Sequence, residues 1–259
     1  MPITPFRGWI ITFSLSCLAF VFPDLRAIAT ALLFVHAIVF TWGIFDIRSG
    51  FFGKVYCRAA GKTNTIALTF DDGPDALLTP AVIDMLAAFG FKATFFVVGR
   101  RALYSPETVK RAFDAGHIIA SHDLTHALLS NFRLSAALFR DISESQRVIE
   151  RIIGKRPLLY RPPVGLMNPH VRGVLSRLTM TCVGWSASAR DAGNRRTKKL
   201  YKLHTLAQPG TIILLHDCLP KPENKQVFLE QLERLLRTIQ EKGLQPVGVD
   251  ELLNVRAYG

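Results

Sequence analysis

Two patterns of apolar residues divide the chain. From Gly8 to Phe22, and again from Ala27 to Phe45, apolar side chains run almost without a charge, separated by Pro23-Asp24-Leu25-Arg26. Beyond about residue 62 the apolar positions come in short runs divided by longer amphipathic segments, the pattern of repeated strand and helix units around a parallel sheet. The short runs predict strands at Thr65 to Phe70, Lys92 to Val98, His117 to Ser121, Leu158 to Tyr160, Met180 to Trp185, Thr211 to Leu215 and Gln245 to Val249. The expected fold class is therefore α/β: a distorted (β/α) barrel of about seven parallel strands over residues 62–252, with a helical transmembrane segment or pair of segments over residues 1–50.

Punctuation supports the helices between those strands. Thr79-Pro80, Ser105-Pro106 and Asn168-Pro169 each set a capping residue before a first-turn proline, and Gly90, Gly116 and Gly154 stand where helices should stop.

At the N-terminus the second apolar stretch, about 19 residues, suffices to cross a bilayer of roughly 30 Å, whereas the first, about 15, is short. A tight hairpin and a single span with an interfacial partner both fit. Arg7 ahead of an apolar run and Ala27-Ile28-Ala29 resemble a cleavable signal, but apolar sequence continues well past that site, which favours a retained anchor. Arg7 precedes the two stretches and Arg48, Lys54, Arg58 and Lys62 follow them, against Arg26 between them. If both cross, the positive-inside bias places the main domain in the cytoplasm, on a bacterial inner or plasma membrane.

Composition agrees with that placement. Hydrophobic residues make up 49% of the 259, and the mean hydropathy is +0.23. A net charge of +12 with a pI near 9.9 comes without an aromatic-basic platform or recognition helix, so anionic lipid headgroups explain it better than nucleic acid. Cys17, Cys57, Cys182 and Cys218 lack the paired spacing of a disulfide framework or a cysteine zinc site.

The polar residues of interest fall at strand C-termini, which converge on one face of an α/β barrel. Asp71 and Asp72 end the first strand, His122 follows the third, Arg161 the fourth and His216 the sixth. Adjacent carboxylates at a strand end suit a division of labour, one holding a cation and the other moving a proton. In Ser121-His122-Asp123-Leu124-Thr125-His126 the i, i+4 spacing is expected to put two imidazoles on one side of a helical turn, and one carboxylate beside them completes a three-ligand site with a position open to water. Taken singly, each feature also has a structural explanation: a turn, a surface ion pair, a core histidine.

Together these motifs resemble the polysaccharide deacetylases, the carbohydrate esterase family of the NodB-homology domain that includes chitin and peptidoglycan deacetylases. Thr69-Phe70-Asp71-Asp72-Gly73-Pro74 matches the family's first motif, and His122 with His126 its histidine motif. Arg161-Pro162-Pro163-Val164-Gly165 matches the third and Leu214-Leu215-His216 the last. The resemblance covers residues 62–252 as the catalytic domain. It implies that Asp72, His122 and His126 bind a divalent metal, most often Zn2+, that Asp71 is the general base oriented by Arg161, and that His216 protonates the leaving amine. A backbone N–H near Val164 would share the oxyanion, with Pro163, Gly165 and Trp185 at the substrate.

Departures from the family pattern bear on the substrate. The fourth motif usually reads Asp-x-x-Asp-Trp, but Trp185 is followed here by Ser188-Ala189-Arg190-Asp191-Ala192, so one acid and one aromatic are missing and Asp191 is left to orient His216. Val164 stands where an aromatic residue is frequent. Less sugar-stacking surface, an anchor, and the cations Arg190, Arg195, Arg196, Lys198, Lys199 and Lys202 favour an amino sugar carried on a polyprenyl phosphate over a finished wall polymer. An O-acetyl esterase, a deformylase and a non-catalytic membrane glycan-binding partner are the alternatives.

Overall fold

A computed structural model describes residues 5–126, 134–189, 194, 197–219 and 221–259. Two apolar helices, α1 (Pro5–Ala19) and α2 (Arg26–Phe45), come first. The domain then runs β1 (Thr65–Asp71), α3 (Thr79–Ala88), β2 (Ala93–Val97), α4 (Gly99–Tyr104), α5 (Pro106–Asp114), β3 (Ile118–Ser121) and α6 (Ser135–Ile153). It continues through β4 (Leu159–Tyr160), α7 (Pro169–Arg177), β5 (Thr181–Cys182), β6 (Ala187–Ser188), β7 (Ile212–His216), α8 (Lys225–Glu241), β8 (Gln245–Pro246) and α9 (Val249–Leu253).

All strand pairings are parallel, in the order β5-β4-β3-β2-β1-β7-β6, with β8 laid against the first two residues of β1. The sheet curls into the distorted barrel that the sequence pattern predicts. Each of the seven expected runs contains a strand, and β6 is an addition whose two residues are too few to leave a periodic signal. The last run is shortened because Val249 opens α9 instead of extending β8.

Strand alternation sorts the core into two layers. Ile66, Leu68 and Phe70 of β1 point outward, where they join Phe95, Ile213 and Leu215 against Val82, Leu86, Leu232 and Leu236 of α3 and α8. Ala67 points inward, with Phe96, Ala120, Ile212 and Val247 filling the barrel. Each large side chain buried this way contributes roughly 1.5–3 kcal/mol. The helix stops expected at Gly90, Gly116 and Gly154 all have positive φ.

α1 and α2 form an antiparallel hairpin. Across it Trp9 donates its indole N–H to the His36 carbonyl at 3.1 Å, and His36 Nε2 meets Thr12 Oγ1 at 3.0 Å. The base of the hairpin docks on the domain: Phe6, Trp9 and Phe40 pack with Phe51 and Phe52, and the Met167 N–H donates to the Ile44 carbonyl at 3.1 Å. Gly43 permits the close approach, since a Cβ there would lie 2.5 Å from the Phe51 ring. Among the described residues, Pro23–Phe45 is the helical stretch long and apolar enough to cross a bilayer.

Candidate active site

β1 delivers the site by the same alternation that builds the core. Inward-facing positions run Ala67, Thr69, Asp71, so polarity rises toward the strand's C-terminal end. Arg161, at the end of β4, closes the barrel interior above Phe96, its guanidinium carbon 4.1 Å from the ring centroid. Its side chain is 0% exposed, a position a cation keeps only when paired. Nη1 donates to Asp71 Oδ1 at 2.6 Å and to Thr69 Oγ1 at 2.8 Å, Nη2 to the Gly184 carbonyl at 2.8 Å, and Nε to the Val183 carbonyl at 3.2 Å. Asp71 is thereby fixed in position with its second oxygen, Oδ2, 3.8 Å from His122 Nε2.

Asp72 turns the other way because its φ is +72°, in the left-handed region that aspartate tolerates better than most residues. Its Oδ1 lies 3.0 Å from His126 Nε2 and 3.5 Å from His122 Nε2. One ligand atom from each of these three residues falls within 4.8 Å of the others, the arrangement of a possible metal site. The turn beyond has no spare room: a Cβ on Gly73 would sit 2.1 Å from Asp217 Oδ2, an oxygen that accepts the Thr79 hydroxyl at 2.7 Å.

The His122–His126 segment is not the helical turn expected from its spacing. Positive φ at Asp123 (+65°) and His126 (+51°) folds it into an irregular loop, and both imidazoles still reach Asp72. Buried hydrogen bonds hold that loop. Asp123 accepts the Tyr160 hydroxyl at 2.8 Å, its carbonyl accepts Ser145 Oγ at 2.9 Å, and Asp141 accepts the Leu124 N–H at 3.2 Å. His122 Nδ1 lies 2.8 Å from the Arg161 carbonyl; with Nδ1 donating there, Nε2 is the nitrogen turned to Asp72, a donor to it when protonated and a ligand atom when neutral.

Electrostatics follow from that packing. Burial works against a charged Asp72, but the His122 hydrogen bond and the nearby imidazoles outweigh it and hold the carboxyl well below the usual range. Burial also disfavours a protonated His122, yet Asp71 and Asp72 win and raise it. His126 is lowered, by burial and by the charge of His122. Asp217, wholly enclosed, is pushed up to about 7 by burial, with Asp72 and Asp71 adding to the rise against the Thr79 hydrogen bond.

Parallel register pairs Asp71 of β1 with His216 of β7, so the two side chains leave the sheet on the same face. Asn194 donates to the carbonyls of His216 and Cys218 at 2.7 and 3.0 Å and fixes that strand end. Pro163, Val164 and Gly165 form a tight turn after Arg161, with Val164 in the left-handed region at φ +57° and 56% exposed at its tip. Gly165 lies flat against Trp185: a Cβ there would be 2.5 Å from the ring. The structure thus brings Asp71, Asp72, His122, His126, Arg161 and His216 to one barrel end, with Trp185 and the 163–165 turn beside them. Asp191, Arg190, Arg195 and Arg196 lie outside the described residues, so the part expected of Asp191 has no structural account.

Thr69, Asp123, Asp217 and Asn194 carry no role in the sequence reading. Two of them are neighbours of expected site residues, Asp123 between the histidines and Asp217 after His216, and an acid beside a candidate histidine was the signal available.

The polysaccharide deacetylase family model matches residues 58–183. The peptidoglycan-N-acetylglucosamine deacetylase of Bacillus cereus is 33% identical over 208 residues, covering 79% of this chain and 95% of that protein. The peptidoglycan-N-acetylmuramic acid deacetylase PdaC of Bacillus subtilis is 33% identical over 192 residues, 74% of this chain; the chain spans 39% of PdaC's full length. A solved structure of PdaC superposes with a TM-score of 0.65 at 32% identity, over 74% of this chain and 90% of that one. The chitooligosaccharide deacetylase of a Bradyrhizobium strain is 29% identical over 71% of this chain and 88% of that protein.

Proposed function

Because the chain belongs to the polysaccharide deacetylase family, we propose that it is a carbohydrate N-deacetylase, hydrolysing the N-acyl group, an N-acetyl for preference, of an amino sugar. The observation that carries this reading is the Asp72, His122 and His126 cluster set beside the buried Asp71–Arg161 pair.

The donor set fits a divalent cation. One carboxylate oxygen and two imidazole nitrogens are the mixed hard and borderline ligands of catalytic zinc sites, and the Arg161 carbonyl against His122 Nδ1 supplies the outer partner such histidines carry. Bound by Asp72, His122 and His126, Zn2+ would lower the pKa of water and polarise the acyl carbonyl. The chain's own groups do the rest. Asp71, held by Arg161 and not needed as a ligand, accepts the proton of the attacking water. A backbone N–H near Val164, in the exposed turn, would share the negative charge that grows on the acyl oxygen. His216, alongside Asp71 across the β1–β7 register, gives its proton to the departing nitrogen.

For the substrate we favour an amino sugar on a polyprenyl phosphate. Support comes from the hairpin, whose base packs on the domain through the Phe6, Trp9, Phe40, Phe51 and Phe52 cluster, as expected of an anchor that is kept. With both helices crossing, the distribution of Arg7, Arg48, Lys54, Arg58 and Lys62 favours the cytoplasmic face for the domain.

Metal analysis and turnover of two variants test the division of labour. Asp71→Asn should keep its metal and lose activity, whereas His126→Ala should lose both. Metal lost from Asp71→Asn alone would reverse the two aspartates, and full turnover by either variant would overturn the site. Mass spectrometry of acetylated amino sugars incubated with zinc-loaded protein reads the reaction itself.

A further inference from the structure

A cleft of about 620 Å3, within the range of small-molecule sites, opens between the foot of the hairpin and the rim of the candidate active site. One wall is the last turn of α2, with Trp42 and Phe45, followed by Asp46 and Arg48; the other is Val164, Gly165, Trp185 and Leu206. Trp42 and Phe45 lie three residues apart on one helix face and are 51% and 64% exposed, while Phe40, Gly43 and Ile44 take up the docking side. Leu206, reached from the far end of the domain's sequence, is 49% exposed. Four large apolar side chains, Val164 included, therefore face a shared opening without covering one another.

That cleft joins two places that a lipid-borne sugar must occupy together. Its inner wall, Trp185, stands 5.7 Å from the Arg161 guanidinium, and Arg161 holds Asp71 at 2.6 Å, so one side chain separates the cleft from the proposed base's support. Its outer wall is the end of α2, the helix long and apolar enough to cross a bilayer. Arg48 lies at the mouth, ion-paired with Asp46 at 3.0 Å through Nε and bonded to it through Nη2, and its exposed guanidinium keeps further N–H donors for a phosphate there. A polymer chain in water needs no opening toward a membrane helix, whereas a headgroup tethered to a prenyl chain does.

Resting on the lipid-linked reading above, we infer that this cleft is the binding site for the phosphate and first prenyl units of a lipid-phosphate-linked acylated amino sugar, with Trp42, Phe45 and Leu206 contacting the prenyl chain and Arg48 the phosphate. Trp42, Phe45, Leu206 and Arg48 discriminate between substrates and take no part in the bond changes.

Two substrates carrying the same sugar provide the test: an N-acetylglucosaminyl polyprenyl phosphate in phosphatidylethanolamine and phosphatidylglycerol vesicles, and the soluble N-acetylglucosamine trimer. Full-length, zinc-loaded protein is reconstituted in the vesicles as wild type, Phe45→Glu and Leu206→Glu. A charge replacing one buried apolar contact should lower kcat/KM for the lipid-linked sugar roughly 10-fold or more, through KM. Turnover of the trimer and the thermal midpoint should stay at wild-type values. Leu206→Glu is the sharper variant because it lies outside the hairpin and leaves vesicle binding alone. Equal losses on both substrates, or no loss on the lipid-linked one, would overturn the cleft assignment while the substrate reading stands. Wild-type protein that cleaves the trimer and ignores the lipid-linked sugar would overturn both.

Discussion

Replacing Arg161 with methionine would be expected to act on stability as much as on chemistry. The guanidinium is fully buried and makes hydrogen bonds to Asp71, Thr69, Gly184 and Val183, so its removal strands a buried carboxylate and two carbonyls together. Breaking one side of such a pair costs about 3–5 kcal/mol, because the surviving charge loses its partner without regaining water. For a domain of this size each kcal/mol lowers the thermal midpoint by roughly 2–4 °C, giving an expected fall of roughly 6–20 °C. Arg161→Met combined with Asp71→Asn removes both charges and should recover at least about 1.5 kcal/mol of that loss. The measurement is urea unfolding of full-length protein in detergent micelles, followed by tryptophan emission, for the wild type, both single variants and the double variant. All three variants are expected to be inactive, so the thermodynamic cycle carries the test. A cost below about 1 kcal/mol for Arg161→Met, or strictly additive single effects, would refute the claim that Arg161 and Asp71 are one buried unit.

His117 accepts the Ala93 N–H at 3.2 Å and is pushed down to about 4 by burial and by Lys92. Protons then bind the unfolded chain more readily than the folded one, so stability should be complete above pH 6.5 and fall as the pH drops toward 4; His117→Gln should flatten unfolding midpoints across that window. Gly73→Ala drives a Cβ to 2.1 Å from Asp217 Oδ2 and should misplace Asp72, lowering kcat/KM about 100-fold, with partial rescue by adding Asp217→Ser. A wild-type rate in Gly73→Ala would show that the turn is not positioned by this contact. Chelation should abolish turnover and lower the wild-type thermal midpoint by several degrees, since ligand at about 100 times its Kd stabilises by about 2.7 kcal/mol, and zinc should restore both. His126→Ala, lacking a ligand, should show no such thermal response.

The legible parts of this protein were those whose physics is local. Hydrophobic runs bounded by Gly90, Gly116 and Gly154 and by Thr79-Pro80 and Asn168-Pro169 carry their own boundaries; Asn168 caps α7 through the Val171 N–H at 2.9 Å, whereas α3 starts at Thr79 itself and Ser105 makes no side-chain capping bond to α5. Convergence of Asp71, His122, Arg161 and His216 followed from strand C-termini sharing a face. The i, i+4 spacing at His122–His126 predicts a helical turn because it says nothing of the positive φ at Asp123 and His126, where tertiary bonds to Tyr160, Ser145 and Asp141 hold an irregular loop. Thr69 illustrates the same limit: its hydroxyl looks like an ordinary strand residue until Arg161, 92 positions away in sequence, is laid across it.

That long-range placement explains why a cation can sit at the heart of the barrel. The inner layer needs a bulky plug above Phe96, and an apolar one would leave Asp71, Thr69 and the carbonyls of Val183 and Gly184 buried without donors. Arginine fills the volume and supplies a rigid fork of N–H groups, which lysine would offer only as a single point charge. One side chain therefore completes the core from below and fixes the proposed base from above. Trp185 packs against the same guanidinium and walls the cleft at the hairpin's foot, so stability, the proposed chemistry and the proposed lipid site meet in one contact. A substitution that loosens Arg161 should disturb all three, whereas one at Leu206 should disturb the last alone.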